Sequence, residues 1–433
     1  MSDAVLGLIG FAAALGLIAL GTPVAVAMGV IGGVGYWYLN GWMGAAYILG
    51  SSPFESIFPY SFSVIPLFVM MGVFASHAGL SRSLFDVINS FIGHRKGGLA
   101  VTTVGASAFF GAICGSSLAT VATIGRVALP EMKRHGYDPS LSTATVAAGG
   151  TLGVLIPPSV LLVIYGLLTQ SSIGQLFIGA LIPGLLGALL YAGAILVRVR
   201  FNPEIAPAAE RTSWPDRIRF LGKVWQVVLL FALVIGGIYL GWFSPTEAAA
   251  VGAVGAFVLA LFSGELTFDA MRASVFETAG LTGMIFFILI GASLFNFFLE
   301  NTGLPQMLIE MIHTSGLGPY QVMILILVFY VILGCFMDAM SMILLTVPLL
   351  APVALELDFN LVWFGIIVVT VAEIGLITPP IGMNLFVAQA AAGNIPLGTI
   401  IKGIFPFILA DFLRLGLLVA FPALVLWLPG MAF

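Results

Sequence analysis

The chain is written in long apolar runs, each bounded by glycine, proline or a charge. They fall at about 4 to 20, 22 to 39, 61 to 79, 140 to 168, 175 to 199, 217 to 242, 245 to 263, 280 to 300, 360 to 391 and 396 to 428. Most are long enough to cross a hydrocarbon layer about 30 Å thick. Two further segments, about 97 to 133 and 318 to 353, are pairs of apolar arms interrupted by small polar residues. The interruptions are Gly115-Ser116-Ser117 in the first and Asp338-Ala339-Met340-Ser341 in the second. This pattern predicts helical hairpins that enter a membrane and return to the side they came from. Ser81 to Gly93 and Leu266 to Ala279 have the amphipathic character of helices lying at the interface.

Two of the runs contain a pair of prolines, in Gly153-Val154-Leu155-Ile156-Pro157-Pro158 and Gly375-Leu376-Ile377-Thr378-Pro379-Pro380. Proline has no N–H, so each one orphans the carbonyl four residues earlier, here those of Gly153, Val154, Gly375 and Leu376. At membrane depth such a carbonyl needs protein, water or a cation in place of the lost donor. Paired broken helices of this kind point to the ion and substrate site of a transporter. The breaks are part of a wider repetition. Gly79-Leu80 recurs as Gly303-Leu304, Gly111 as Gly334, Pro157-Pro158 as Pro379-Pro380 and Pro183 as Pro406, at offsets of 222 to 224 residues. An internal duplication is the expected source.

Composition agrees with a polytopic membrane protein, since 60% of the 433 residues are hydrophobic and only 8% are charged. No basic patch or acidic tail appears, which disfavours nucleic acid as a partner. The opening residues Met1 to Val5 have no positive n-region, so Val5 onward is expected to be a retained first span. Charge sets the orientation. His94-Arg95-Lys96, Lys133-Arg134-His135 and the Arg and Lys residues between 198 and 223 mark the cytoplasmic side, whereas the second hairpin has no flanking Lys or Arg. Five crossings separate the hairpins, so the second copy is expected inverted, with both termini outside.

Enzyme chemistry finds no constellation. The four histidines show no ligand spacing, the two cysteines are isolated, and neither a phosphate-cradling loop nor a nucleophile elbow occurs. What remains are polar groups at depth. Ser116 and Ser117 at the first tip, with Thr120 and Thr123 beyond, face the first break, and Ser341 and Thr378 hold the corresponding places in the second. Hydroxyls and freed carbonyls together suit a hard monovalent cation, and we expect two sodium sites, one per repeat. Two readings stand for Arg126, roughly 14 Å along a helix from the first tip: a snorkelling interfacial residue, or a counter-charge for an anionic substrate. Asp338 is expected to assist a cation site or complete a hydrogen-bond network. Glu373 and Glu247 are expected to orient the helices around them, and Asp411 to pair with Arg414.

The segments Gly-Ala-Ile-Cys-Gly-Ser-Ser (111 to 117), Gly-Val-Leu-Ile-Pro-Pro-Ser (153 to 159), Phe-Ser-Pro-Thr-Glu-Ala-Ala-Ala (243 to 250), Gly-Cys-Phe-Met-Asp (334 to 338) and Gly-Leu-Ile-Thr-Pro-Pro-Ile-Gly (375 to 382) resemble the large membrane (M) subunit of tripartite ATP-independent periplasmic (TRAP) transporters. The resemblance covers nearly the whole chain. It implies an all-α, inverted-repeat, elevator-type transporter of the bacterial inner membrane, with two re-entrant hairpins and two broken helices. It implies sodium-coupled import of a small organic anion, a carboxylate or sulfonate, with sodium as coupling ion and no other cofactor. It also implies two partners, a small four-helix membrane subunit and a periplasmic solute-binding protein.

In this chain the family's sodium positions fall on the first tip with Gly153, Ile156 and Pro158, and on Gly334, Gly375 and Thr378. The second tip departs from the first in carrying Asp-Ala-Met-Ser. On this reading, residues 1–60 are N-terminal scaffold spans and 61–199 the first repeat; 200–265 are a cytoplasmic linker with further scaffold spans, and 266–433 the second repeat. A stand-alone carrier for sodium and dicarboxylate, or a channel or receptor, are the alternatives.

Overall fold

The computed structural model describes residues 2–264 and 266–432. Met1, Glu265 and Phe433 lie outside the described residues, and with them the two chain ends and the residue where the linker block was expected to meet the second repeat. The first half runs through α1 (Asp3–Ala19), α2 (Val24–Glu55), α3 (Val64–His77), α4 (Leu80–Ile92), α5 (Gly98–Cys114), α6 (Ser117–Arg134), α7 (Pro139–Leu155), α8 (Val160–Thr169) and α9 (Ile173–Phe201). The second runs through α10 (Trp214–Tyr239), α11 (Pro245–Phe262), α12 (Phe268–Thr302), α13 (Leu304–Ser315), α14 (Pro319–Gly334), α15 (Ala339–Glu356), α16 (Leu361–Ile377), α17 (Met383–Ala392), α18 (Leu397–Ala420) and α19 (Ala423–Ala432). Among the described residues the fold is all-helical, and eight helices are long and apolar enough to span a membrane. The chain is a multi-pass membrane protein.

The elements around the two Pro-Pro pairs match in length. Helices α6 and α15 have 18 residues each, α7 and α16 have 17, and α8 and α17 have 10. Their ends are built alike. Asp138 caps α7 by accepting the Ser140 and Leu141 N–H groups at 2.9 and 3.1 Å, and Asn360 caps α16 by accepting those of Val362 and Trp363 at 2.8 and 3.3 Å. At the other end the chain turns extended at Ile156 and Thr378. Both Pro-Pro bonds that follow are cis. Between α7 and α8 the axis bends by 42°.

Helices α7 and α16 form the core. From Leu141 and Val362 onward every residue of each is buried, as befits helices apolar on all sides. Helix α7 packs on both α5 and α6, and α16 on both α14 and α15. The arms come close because glycine meets glycine. A Cβ on Gly111 would collide with the Cα of Gly153, and one on Gly375 with Gly334. The short helices beyond the breaks cross over, so that α8 packs on α15 and α17 on α6. A second group forms around α2 with α12 and α3 with α11. It turns large apolar side chains such as Trp37, Leu261 and Phe287 outward, as lipid contact requires.

Two expectations need correction. Leu266 to Ala279 is not a separate surface helix, because α12 runs unbroken for 35 residues from its Thr267 cap. No proline or cap interrupts the sequence at Ala279, so the helix simply continues. The amphipathic counterpart of α4 is α13, and both follow a left-handed glycine, Gly79 and Gly303. The run at 22 to 39 also extends, continuing to Glu55 across a kink at Gly41, whose φ of 73° only glycine adopts readily.

If glycine contact sets the spacing in the core, Gly153→Ala should lower stability by about 1 to 3 kcal/mol through overpacking. Gly193→Ala, where nothing outside its own helix backbone lies within 4 Å of the added methyl, should hold or raise it, since alanine is the better helix former. Thermal unfolding of the detergent-solubilised variants decides this; equal melting temperatures would refute close packing at Gly153.

Candidate functional site

The tips of the two helix pairs meet at one cavity of about 710 Å³. Ser116 and Ser117 reach it from the first pair and Asp338 from the second, while Gly72, His77, Glu277 and Met284 of α3 and α12 form the opposite wall. Val154 and Leu376, one from each break, also line it. The residues three and four positions on from each are the prolines, so no N–H within a helical turn can reach either carbonyl. A residue from each half whose carbonyl has lost its intrahelical N–H partner thus lines the cavity.

Each tip is stabilised by a cap. Ser116 caps α6, its Oγ accepting the Ala119 N–H at 3.3 Å, and its carbonyl accepts the Thr120 hydroxyl at 2.7 Å. Asp338 caps α15 with both oxygens, accepting the Ser341 N–H at 3.0 Å and the Ser341 hydroxyl at 2.5 Å. The expected hydrogen-bond network at Asp338 is thus a helix cap, and Ser341 faces this carboxylate rather than the cavity. Thr378 donates its hydroxyl to Ile374 O at 2.7 Å, which leaves its oxygen lone pairs as acceptors. One expectation is overturned here: the Gly375 carbonyl is not orphaned, because the chain tightens and the Thr378 N–H reaches it at 3.1 Å. The Gly153 carbonyl has no such donor, since the Ile156 N–H goes to Leu152.

Of the remaining candidates, Gly153, Gly334 and Gly375 sit in the backbone contacts already described. Ile156 packs against Gly184 of α9, and Pro158 is buried. None of these lines the cavity, so they form a layer behind it. Arg126 does line it, on an exposed turn of α6, with its Nε donating to the Ala122 carbonyl at 3.3 Å. No carboxylate forms an ion pair with it among the described residues, so its charge remains available.

Several site residues escape sequence reasoning. Asn384 of α17 is buried and donates to Ser117 Oγ at 2.8 Å and to the Ala147 carbonyl at 3.1 Å. As a buried amide in a largely apolar helix it carried a signal, but its partner lies 267 residues away. Glu277 stands 3.4 Å from His77 across the gap between α12 and α3. Glu373, expected only to orient its helix, also lines the cavity. Asp411 and Arg414 do pair, at 2.8 Å with both side chains fully buried, and Tyr191 donates to the same carboxylate at 2.5 Å.

The family model described as the tripartite ATP-independent periplasmic transporter, DctM component, matches residues 11–424. The C4-dicarboxylate TRAP transporter large permease protein DctM of Pseudomonas aeruginosa is 38% identical over 382 residues, covering 87% of this chain and 88% of its own. The ectoine/5-hydroxyectoine TRAP transporter large permease protein UehC of Ruegeria pomeroyi is 34% identical, covering 96% and 97%. Among solved structures, the Alcanivorax borkumensis YdaH transporter superposes with a TM-score of 0.66 over 98% of both chains at 14% identity, a likeness of fold alone.

Capping and charge at Asp338 can be separated. Asparagine caps as well as aspartate does, whereas alanine loses about 1 kcal/mol. Asp338→Ala should therefore melt lower and Asp338→Asn at the wild-type temperature. If both melt alike, the cap contributes nothing to the tip.

Proposed function

The chain belongs to the DctM component family of tripartite ATP-independent periplasmic transporters, a large permease of the bacterial inner membrane, and from that premise we propose that it imports a small organic acid coupled to sodium. The substrate sits between the two tips, in the cavity they share with α3 and α12, and Arg126 supplies the counter-charge for its carboxylate. The cargoes named for the two relatives, a C4-dicarboxylate and the ectoines, all bear a carboxylate. Sodium occupies the layer behind the tips. In one half its donors are Ser116, Ser117 and the carbonyls around Gly153 and Ile156 before Pro158; in the other they are the Gly334, Gly375 and Thr378 region with Ser341 behind it.

In this reading residues 61–199 and 266–433 are two copies of one unit, inverted in the membrane, whose helix pairs are re-entrant. The group built on α2, α3, α11 and α12 is the fixed scaffold, and the core around α7 and α16 moves against it as an elevator. A small four-helix membrane subunit and a periplasmic solute-binding protein complete the machine. If sodium charge outnumbers substrate charge, each net positive charge entering gains about 2.3 kcal/mol per 100 mV. The observation that carries the reading is the cavity where both tips and the break residues Val154 and Leu376, one from each half, converge.

A ligand that binds only the folded state stabilises it by about 2.7 kcal/mol at a hundredfold excess over Kd. The detergent-purified chain should therefore melt at a higher temperature in sodium than in potassium at constant ionic strength. The difference should shrink in Ser116→Ala and in Thr378→Ala. Identical melting in the two salts would sink the sodium coupling.

A further inference from the structure

Glu373 is a carboxylate in the wrong place. It lies in α16, a helix buried along almost its whole length, with 1% of its surface exposed; neither carboxylate oxygen makes a well-aligned hydrogen bond among the described residues, and the Ser117 hydroxyl lies beside them. A buried charge left unpaired is strongly destabilising. The charged groups buried near it do not balance. Arg414 is already matched by Asp411 at 2.8 Å, so Glu373, when ionised, leaves this part of the core one negative charge in excess.

A second unpaired acceptor stands close by. Asn384 is fully buried, and its amide nitrogen is committed to Ser117 Oγ and to the Ala147 carbonyl. Since a carbonyl only accepts, the nitrogen must face Ala147, and the amide oxygen is the atom left without a donor. Ser117 joins the two, because the hydroxyl that Asn384 contacts also lies beside the Glu373 carboxylate. Buried carboxylate and amide oxygens with lone pairs to spare, a negative charge in excess when Glu373 is ionised, and a cavity lined by both Ser117 and Glu373 as an entry path describe a cation site.

We propose that Glu373, Asn384 and Ser117 form a charged site for a monovalent hard cation, sodium in the first instance, in addition to the carbonyl donors at the breaks. The inference rests on the sodium-coupled reading above and deepens it. The carbonyl donors carry no formal charge, whereas this site is filled at the expense of one buried negative charge. It ties α6 of the first half to α16 and α17 of the second, so occupancy joins the two halves around the substrate cavity.

The test is thermal unfolding of the full chain against sodium at constant ionic strength, with potassium as the balancing salt. Above saturation each site adds a fixed increment of stability per e-fold of sodium. Glu373→Gln should lower the steepness of melting temperature against the logarithm of sodium by one site's share. It should also melt higher than wild type in sodium-free buffer, because the excess charge is gone. A Glu373→Gln variant with wild-type steepness overturns the site and means that the carboxyl is held neutral by a proton. If that variant is not recovered folded, Asn384→Ser should shift the sodium midpoint upward by about tenfold, and an unchanged midpoint overturns the site equally. A wild-type protein indifferent to sodium overturns both this inference and the coupling it rests on. A sodium response that Thr378→Ala weakens but Glu373→Gln does not overturns this inference alone.

Discussion

A backbone carbonyl inside a membrane must find a donor, and four adjacent prolines in two places deny it one. Most of the core follows from that constraint. The breaks after Leu155 and Ile377 are tolerated because α7 and α16 are wholly enclosed by other helices, so the unpaired groups face protein and a cavity rather than lipid. Enclosure in turn demands close approach, and close approach demands the glycine pairs Gly111 with Gly153 and Gly334 with Gly375. The same logic puts Ser116 and Asp338 at the tips, where the first N–H groups of α6 and α15 would otherwise lack acceptors.

The two halves are alike in helix length but not in how they satisfy their polar groups. The first tip is capped by a neutral hydroxyl and the second by a carboxylate that its own Ser341 grips twice. Behind the breaks the difference persists, since Gly375 has its carbonyl taken by Thr378 and Gly153 does not. Charge is also distributed unevenly. Glu373, Asp411 and Arg414 all come from the second half, whereas Arg126 is the cavity's cation and comes from the first.

Much of this was legible in the chain. Proline pairs, small polar interruptions and glycine landmarks are local signals whose consequences are steric, so the bounds of α6, α7, α15 and α16 follow from them. The pairing of Asp411 with Arg414 is legible for the same reason, being a matter of helical spacing. What was hidden depends on other parts of the fold. Nothing local says that Ala279 is mid-helix, that the run ending near 39 continues past Gly41, or that Thr378 tightens onto Gly375. The contact between Asn384 and Ser117 belongs to this class, because neither residue's surroundings predict the other.

The crossed packing of α8 on α15 and α17 on α6 bears on how the protein is made. Ser117 and its partner Asn384 are separated by 267 residues. At about 5 to 20 residues per second, synthesis needs on the order of 10 to 50 seconds to bridge that interval. Throughout it the first tip is already built, with its serines and freed carbonyls, while the helix that will cover it does not yet exist. For that interval the polar groups of the first tip have to be kept from lipid by something other than α17.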